Sequence, residues 1–115
     1  QTKHQNIHNF CGKLSLLESA VLVKNSCLVL SNDTGLMHIA SAFDKKIISF
    51  WGCTKPSLGM SPFRPNKHSV MITSKTHKAP CSKLGNRCKS RGNNCIEDIQ
   101  NELIIKTVNR LLNIN

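Results

Sequence analysis

Cys27-Leu-Val-Leu-Ser31 is an unbroken apolar run that gives way at once to Asn32-Asp-Thr-Gly35, and this junction constrains the chain more than any other. A strand without polar alternation suits a parallel sheet covered on both faces, because a sheet with one wet face alternates. Leu36 to Phe43 then reads as a short helix, and Lys46-Ile-Ile-Ser-Phe-Trp51 as the next strand. Upstream, Ser15-Leu-Leu-Glu18 has the S-x-x-E pattern of a capping box, in which hydroxyl and carboxylate satisfy orphan N–H groups at a helix start. Leu16, Leu17, Ala20 and Val21 follow at three-and-four spacing, which predicts a helix from about Leu16 to Asn25 with these residues on one face. A short strand is expected between Asn6 and Cys11, and another over Ser69-Val-Met-Ile-Thr73. A closing helix over 96–113 would carry Ile99, Leu103, Ile104, Val108, Leu111 and Leu112 on one stripe. Strands and helices alternating with short links predict a doubly wound α/β layer. Residues 53–68, with Pro56, Pro62, Pro65 and Gly59, read as a long loop of the kind that surrounds a site, and residues 74–95 as a basic, cysteine-bearing loop.

At 115 residues the chain is one domain at most, and an apolar content of 39% is that of a globular chain. It starts at Gln1 with ten polar-rich residues, and the expectation is a soluble piece of a longer protein without a signal peptide. No stretch approaches the roughly 18 apolar residues that span a bilayer.

The net charge is +10, and its placement is uneven. Between Lys45 and Ile96 there is no Asp or Glu, yet eleven of the sixteen Lys and Arg lie there. Such a field attracts nucleotide phosphates, phosphorylated glycolipid, an anionic membrane surface or nucleic acid, with plain solubility as the simpler alternative. A nucleic-acid surface interleaves its cations with stacking aromatics. Here only Phe50, Trp51 and Phe63 are available, Phe50 lies in an apolar run that reads as core, and no nucleic-acid partner is expected.

The chemistry concentrates in Ser31-Asn-Asp-Thr-Gly-Leu-Met-His38, where a buried strand ends and a helix begins. Open α/β sheets bind ligands at this carboxyl edge, and helix N-termini offer unpaired N–H groups to phosphate. Gly35 removes a Cβ that would obstruct a diphosphate, and Thr34 and His38 are four residues apart on one helix face. Asp33 would repel a diphosphate, so its expected role is to cap the helix. The residues alone also fit a capped helix with a surface histidine.

Asn32-Asp-Thr-Gly-Leu-Met-His-Ile-Ala40, with Ala42 and the strand into Phe50-Trp-Gly-Cys-Thr54, resembles the D-T-G-x-x-H-x-A-A signature and following F-G-x-T of glycosyltransferase family 9. Cys11-Gly-Lys-Leu-Ser-Leu16 is similar to that family's G-x-x-S/T-L, and Pro80-Cys81, Cys88 and Cys95-Ile96 resemble its cysteine-bearing loop. The resemblance implies an α/β, Rossmann-like parallel sheet with flanking helices, the C-terminal half of a two-domain GT-B type glycosyltransferase. It implies that Asp33, Thr34, Gly35, Leu36 and His38 form the donor diphosphate site, with Asp33 fixing the loop, and that Leu14 lies against the nucleotide base. The expected partners are ADP-heptose or a related nucleotide sugar and a lipopolysaccharide core acceptor. No metal or other cofactor is expected for transfer, and the catalytic base is expected from an N-terminal acceptor domain outside this chain. The expected location is the cytoplasm, with the inner face of the inner membrane as one option within it. Another GT-B transferase or an epimerase using a nucleotide sugar is the alternative among enzymes.

Six cysteines remain to be placed. Cys27, inside the apolar run, is expected to be a buried small hydrophobe. Cys81, Cys88 and Cys95 are each separated by six residues, whereas structural zinc sites favour pairs two to four residues apart. Reduced thiols without metal are therefore the expectation, with a disulfide as one alternative and a zinc bound by these cysteines and Cys53 as another, the latter marking a nucleic-acid module as the rival from another class. The loop cations Lys83, Arg87, Lys89 and Arg91 either face acceptor phosphates and give peripheral membrane contact or are simply solvated.

Overall fold

The computed structural model describes residues 4–75, 80–82, 84, 87–88 and 95–114. Its sheet has three parallel strands in the order β1 (Val29–Asn32), β2 (Ile47–Trp51), β3 (Val70–Thr73). Three α-helices accompany them: α1 (Leu16–Lys24), α2 (Gly35–Ala42) and α3 (Asn101–Leu112). Short 3-10 turns occupy Pro56–Leu58 and Cys95–Asp98. This is the expected α/β layer.

The middle strand has most of its residues buried because it has neighbours on both sides and cover on both faces. Val29 to Asn32 pair with Ile47 to Phe50, and Ile48 to Trp51 pair with Val70 to Thr73. Alternation along β2 sends Ile47 and Trp51 into one cluster with Met37 and Ala40 of α2, packed by Val23, Val29 and Met60. Ile48 goes to the other face with Ile72 and Leu111, packed by Phe50, Val70, Ile99, Ile104 and Val108. Ser49 lies buried beside Trp51 and its Oγ accepts the indole N–H at 2.9 Å, so the largest buried side chain leaves no unpaired donor. Lys46 Nζ donates to the Leu111 carbonyl at 2.8 Å, tying the end of α3 to the start of β2.

Several expectations need correction. Residues 6–11 form turns and irregular backbone with no strand. The closing helix begins at Asn101, because residues 95–98 wind as a 3-10 turn. β1 is not covered on both faces: it sits at the end of the strand order, and Leu30 is 48% exposed. Cys27 is exposed, since it lies in the bend between α1 and β1, outside the sheet.

The capping box is present as expected. Ser15 Oγ accepts the Glu18 N–H at 3.3 Å, and the Ser15 N–H donates to Glu18 Oε2 at 2.7 Å. The predicted stripe of α1, however, faces away from the sheet: Leu16, Leu17 and Val21 are exposed, and Val23 makes the core contact.

The first link after β2 is sterically tight. A Cβ on Gly52 would stand 3.0 Å from Ile96 Cβ, 3.0 Å from its backbone N and 3.2 Å from its Cα. The sheet edge and the 95–98 turn thus touch through backbone, and a hydrogen bond from Ser74 Oγ to Asp98 Oδ2 at 3.2 Å joins β3 to the same turn.

Gly52→Ala should cost about 1–3 kcal/mol by overpacking, read from urea midpoints, and trimming Ile96 to Ala should not restore it because the obstructing atoms remain. Met37→Ala should cost about 2–5 kcal/mol by the same measurement, having no exposure to relax into. The Ser15 N–H and hydroxyl hold the Glu18 carboxyl below its ordinary value of 4.5. A depressed acid contributes stability above its unfolded pKa that is lost as pH falls through the folded one. An NMR titration should therefore find the Glu18 midpoint below 4.5, and Ser15→Ala should move it back up.

Candidate functional site

The strand-to-helix junction sits where the sequence places it. β1 ends at Asn32, Asp33 and Thr34 turn, and α2 starts at Gly35. Thr34 is the helix N-cap in extended conformation (φ −142°, ψ 166°), and its side chain makes no capping bond. Its Oγ1 lies instead 3.1 Å from Ser31 Oγ, which also donates to the Asn32 carbonyl at 2.9 Å. Asp33 therefore does not cap α2, a correction to the expectation: it stands one residue before the cap position, half-buried in the turn. With no side chain over its start, α2 keeps first-turn N–H groups that no side chain of the described residues takes up.

Thr34, Gly35, Leu36 and His38 are all exposed around this helix start. A Cβ at Gly35 would meet nothing within 4 Å, so no packing demands glycine there and the space stays open to a ligand. Leu14, half-buried, lies just before the capping box of α1. Met37 and Ala40, by contrast, are fully buried and anchor α2 on the sheet. The motif thus alternates anchoring residues with exposed ones.

Beside the junction, at the carboxyl ends of β1 and β2, lies an open cleft of about 340 Å³. Asn32, Asp33, Phe50, Gly52, Cys53, Thr54, Leu84 and Ile96 line it. Of the residues expected in the donor site, only Asp33 is among these lining residues. Thr34, Gly35, Leu36 and His38 stand on the adjoining helix start, and Leu14 lies elsewhere on α1's approach. Thr54, the last residue of the F-G-x-T resemblance, is buried at the cleft. Of the loop cations, Arg87 is exposed, while Lys83, Lys89 and Arg91 lie outside the described residues.

Sequence reasoning undervalued one group. The sulfur atoms of Cys53, Cys81, Cys88 and Cys95 all lie within 4.8 Å of one another. Cys81 Sγ is 3.4 Å and Cys88 Sγ 3.3 Å from Cys95 Sγ, and the Cys81 N–H donates to the Cys53 carbonyl at 2.8 Å. Desolvation first, then hydrogen bonds with Cys88 and Cys95, pushes the Cys53 thiol up to about 12. The spacing argued against the group in the sequence because each cysteine comes from a different turn of the chain. Cys11 and Cys27, the other two, are exposed and apart from it. No helix of the described residues is long and apolar enough to cross a membrane.

Comparison with known proteins follows the same lines. The model of glycosyltransferase family 9 (heptosyltransferase) matches residues 1–91. A lipooligosaccharide heptosyltransferase 2 of Haemophilus influenzae is 44% identical over 48 residues, 42% of this chain and 14% of that protein. A lipooligosaccharide heptosyltransferase 2 of Campylobacter jejuni is 26% identical over 111 residues, 95% of this chain and 34% of that protein. A lipopolysaccharide heptosyltransferase 1 of Campylobacter coli is 32% identical over 100 residues, 86% of this chain and 27% of that protein. The chain thus spans about a third or less of the length of these relatives. No solved structure matches it. The family match covers the D-T-G turn, α2, β2 and the first three members of the cysteine group, and the chain belongs to glycosyltransferase family 9.

Proposed function

We propose that this chain is the donor-binding, C-terminal part of a glycosyltransferase that moves a sugar, heptose, from a nucleotide-diphosphate donor, ADP-heptose, to a lipopolysaccharide core acceptor. The observation that carries the reading is the uncapped start of α2, set at the carboxyl edge of a parallel sheet with Thr34, Gly35 and His38 exposed around it. Family membership supplies the reaction class.

In this reading the donor's diphosphate lies over the first turn of α2, where free N–H groups and the positive end of the helix dipole meet its charge. Thr34 offers a hydroxyl and His38 an imidazole to the phosphate oxygens. Asp33 shapes the turn from the cleft side, and Leu14 rests against the base. The acceptor hydroxyl is deprotonated by an acidic base from another part of the polypeptide. Its oxygen attacks the anomeric carbon as the bond to the diphosphate breaks. Charge grows on the leaving group in that step, so groups placed around α2 stabilise the transition state more than the ground state. No cofactor enters this scheme. The expected location is the cytoplasm at the inner face of the inner membrane, where a net charge of +10 favours an anionic surface.

Titration of the complete polypeptide with ADP, UDP, GDP and AMP at physiological salt tests the site. A nucleoside diphosphate should bind saturably and more tightly than AMP. Thr34→Ala and His38→Ala should each weaken it by about 1.5 kcal/mol or more, roughly tenfold, the usual worth of a hydrogen bond to a charged group. Equal, salt-sensitive binding of every anion, untouched by either substitution, would leave a basic surface and no donor site. With donor and acceptor present, the same variants should lower kcat rather than raise KM alone, because the contacts strengthen as the leaving group departs.

A further inference from the structure

The donor-site reading makes no use of Cys53, Cys81, Cys88 and Cys95, yet the fold brings these four side chains to one point. All four sulfurs lie within 4.8 Å of one another, and the contacts of Cys95 to Cys88 and Cys81 measure 3.3 Å and 3.4 Å. Zinc bound by four thiolates at about 2.3 Å makes a tetrahedron whose edges are about 3.8 Å. That edge falls between the shortest and the widest separations here, so small rotations of the side chains complete the polyhedron.

The competing uses of four thiols fit less well. A disulfide needs its sulfurs about 2.05 Å apart, and Cys95 is the near neighbour of both Cys81 and Cys88. Bridging one pair would strand the other two sulfurs beside it. A four-iron cluster places a cage of metal and sulfide between its thiolates, and sulfurs this close leave no room for one. Single soft cations with a tetrahedral preference remain, and zinc is the common one at four cysteines.

The charge composition of the surrounding sequence suits the same occupant. Zinc with four thiolates carries a net double negative charge. The segment from Lys45 to Ile96, which supplies Cys53, Cys81, Cys88 and Cys95, contains eleven Lys and Arg and no Asp or Glu.

We infer that Cys53, Cys81, Cys88 and Cys95 hold one zinc ion as a structural tetrathiolate site. All four positions are filled by protein sulfur, so no position is open to water or substrate and the ion has a structural role. Its work is to join the link after β2, the 80–82 segment, residue 88 and the start of the 95–98 turn. Cys53 and Ile96 also line the cleft beside Asp33, so the ion fixes one wall of that cleft. This assignment does not depend on which nucleotide or sugar the cleft takes.

The complete polypeptide, purified without chelator, should contain about one zinc per chain by elemental analysis. Replacement by cobalt should give the intense visible bands and sulfur-to-metal charge transfer of a tetrahedral tetrathiolate site. Cys88→Ser should lose the metal, whereas Cys11→Ser and Cys27→Ser should keep it. Cys88→His should retain cobalt with shifted bands, which separates a lost ligand from a lost fold. The cobalt spectrum of the unaltered protein decides the matter if Cys88→Ser does not fold. Less than about a tenth of a zinc per chain with no tetrahedral cobalt spectrum would overturn the assignment. So would stoichiometric iron in its place, or a disulfide between any two of the four cysteines in protein isolated under thiol-trapping conditions.

Discussion

Everything in this fold hangs on the five residues of β2. Ile47, Ile48, Ser49 and Trp51 are buried, and they serve two apolar clusters on opposite faces of the sheet. A strand that must satisfy both faces cannot alternate apolar with exposed polar residues, and its one polar member, Ser49, is spent on the Trp51 indole. The neighbouring strands take their register from it, and α2 and α3 dock against its two sides. The carboxyl end of this strand then runs straight into Gly52, Cys53 and Thr54 at the cleft. Core and candidate site are consecutive along the backbone, so a disturbance of Trp51 reaches the cleft within three residues.

What could be read from residues alone was what is decided locally. The Ser15–Glu18 capping box is a contact within one helix turn, and it formed. The Asn32–Gly35 break and the apolar Lys46–Trp51 segment announced strand, turn and strand, because periodicity and turn chemistry act over a few residues. The D-T-G motif was legible for the same reason. Its fine geometry was not: Thr34 takes the cap position that Asp33 was expected to serve, and its hydroxyl is directed to Ser31.

The failures are tertiary. Cys27 and Leu30 belong to one apolar run, but a strand at the end of a three-stranded order is covered on fewer sides than a central one. The α1 stripe has the right spacing, yet docking selects Val23 for the core. Gly52 carries no local signal of its role, which is to leave room for Ile96: a Cβ there would stand 3.0 Å from the Ile96 backbone N. Cys53, Cys81, Cys88 and Cys95 were visible as a possible set, but their wide spacing argued against a meeting that only the tertiary fold brings about.

The cover over Ile48 and Ile72 comes from Ile104, Val108 and Leu111 of α3, with Ile99 just before it. During synthesis the chain emerges from its amino end, so β1, β2 and β3 are complete while that face of the sheet is still bare. An unpaired apolar sheet face waiting for α3 is the sort of surface that chaperones hold and that neighbouring nascent chains stick to. The interval is set by translation of the residues between Thr73 and Asn101, so the length of that segment fixes how long the apolar face stays bare.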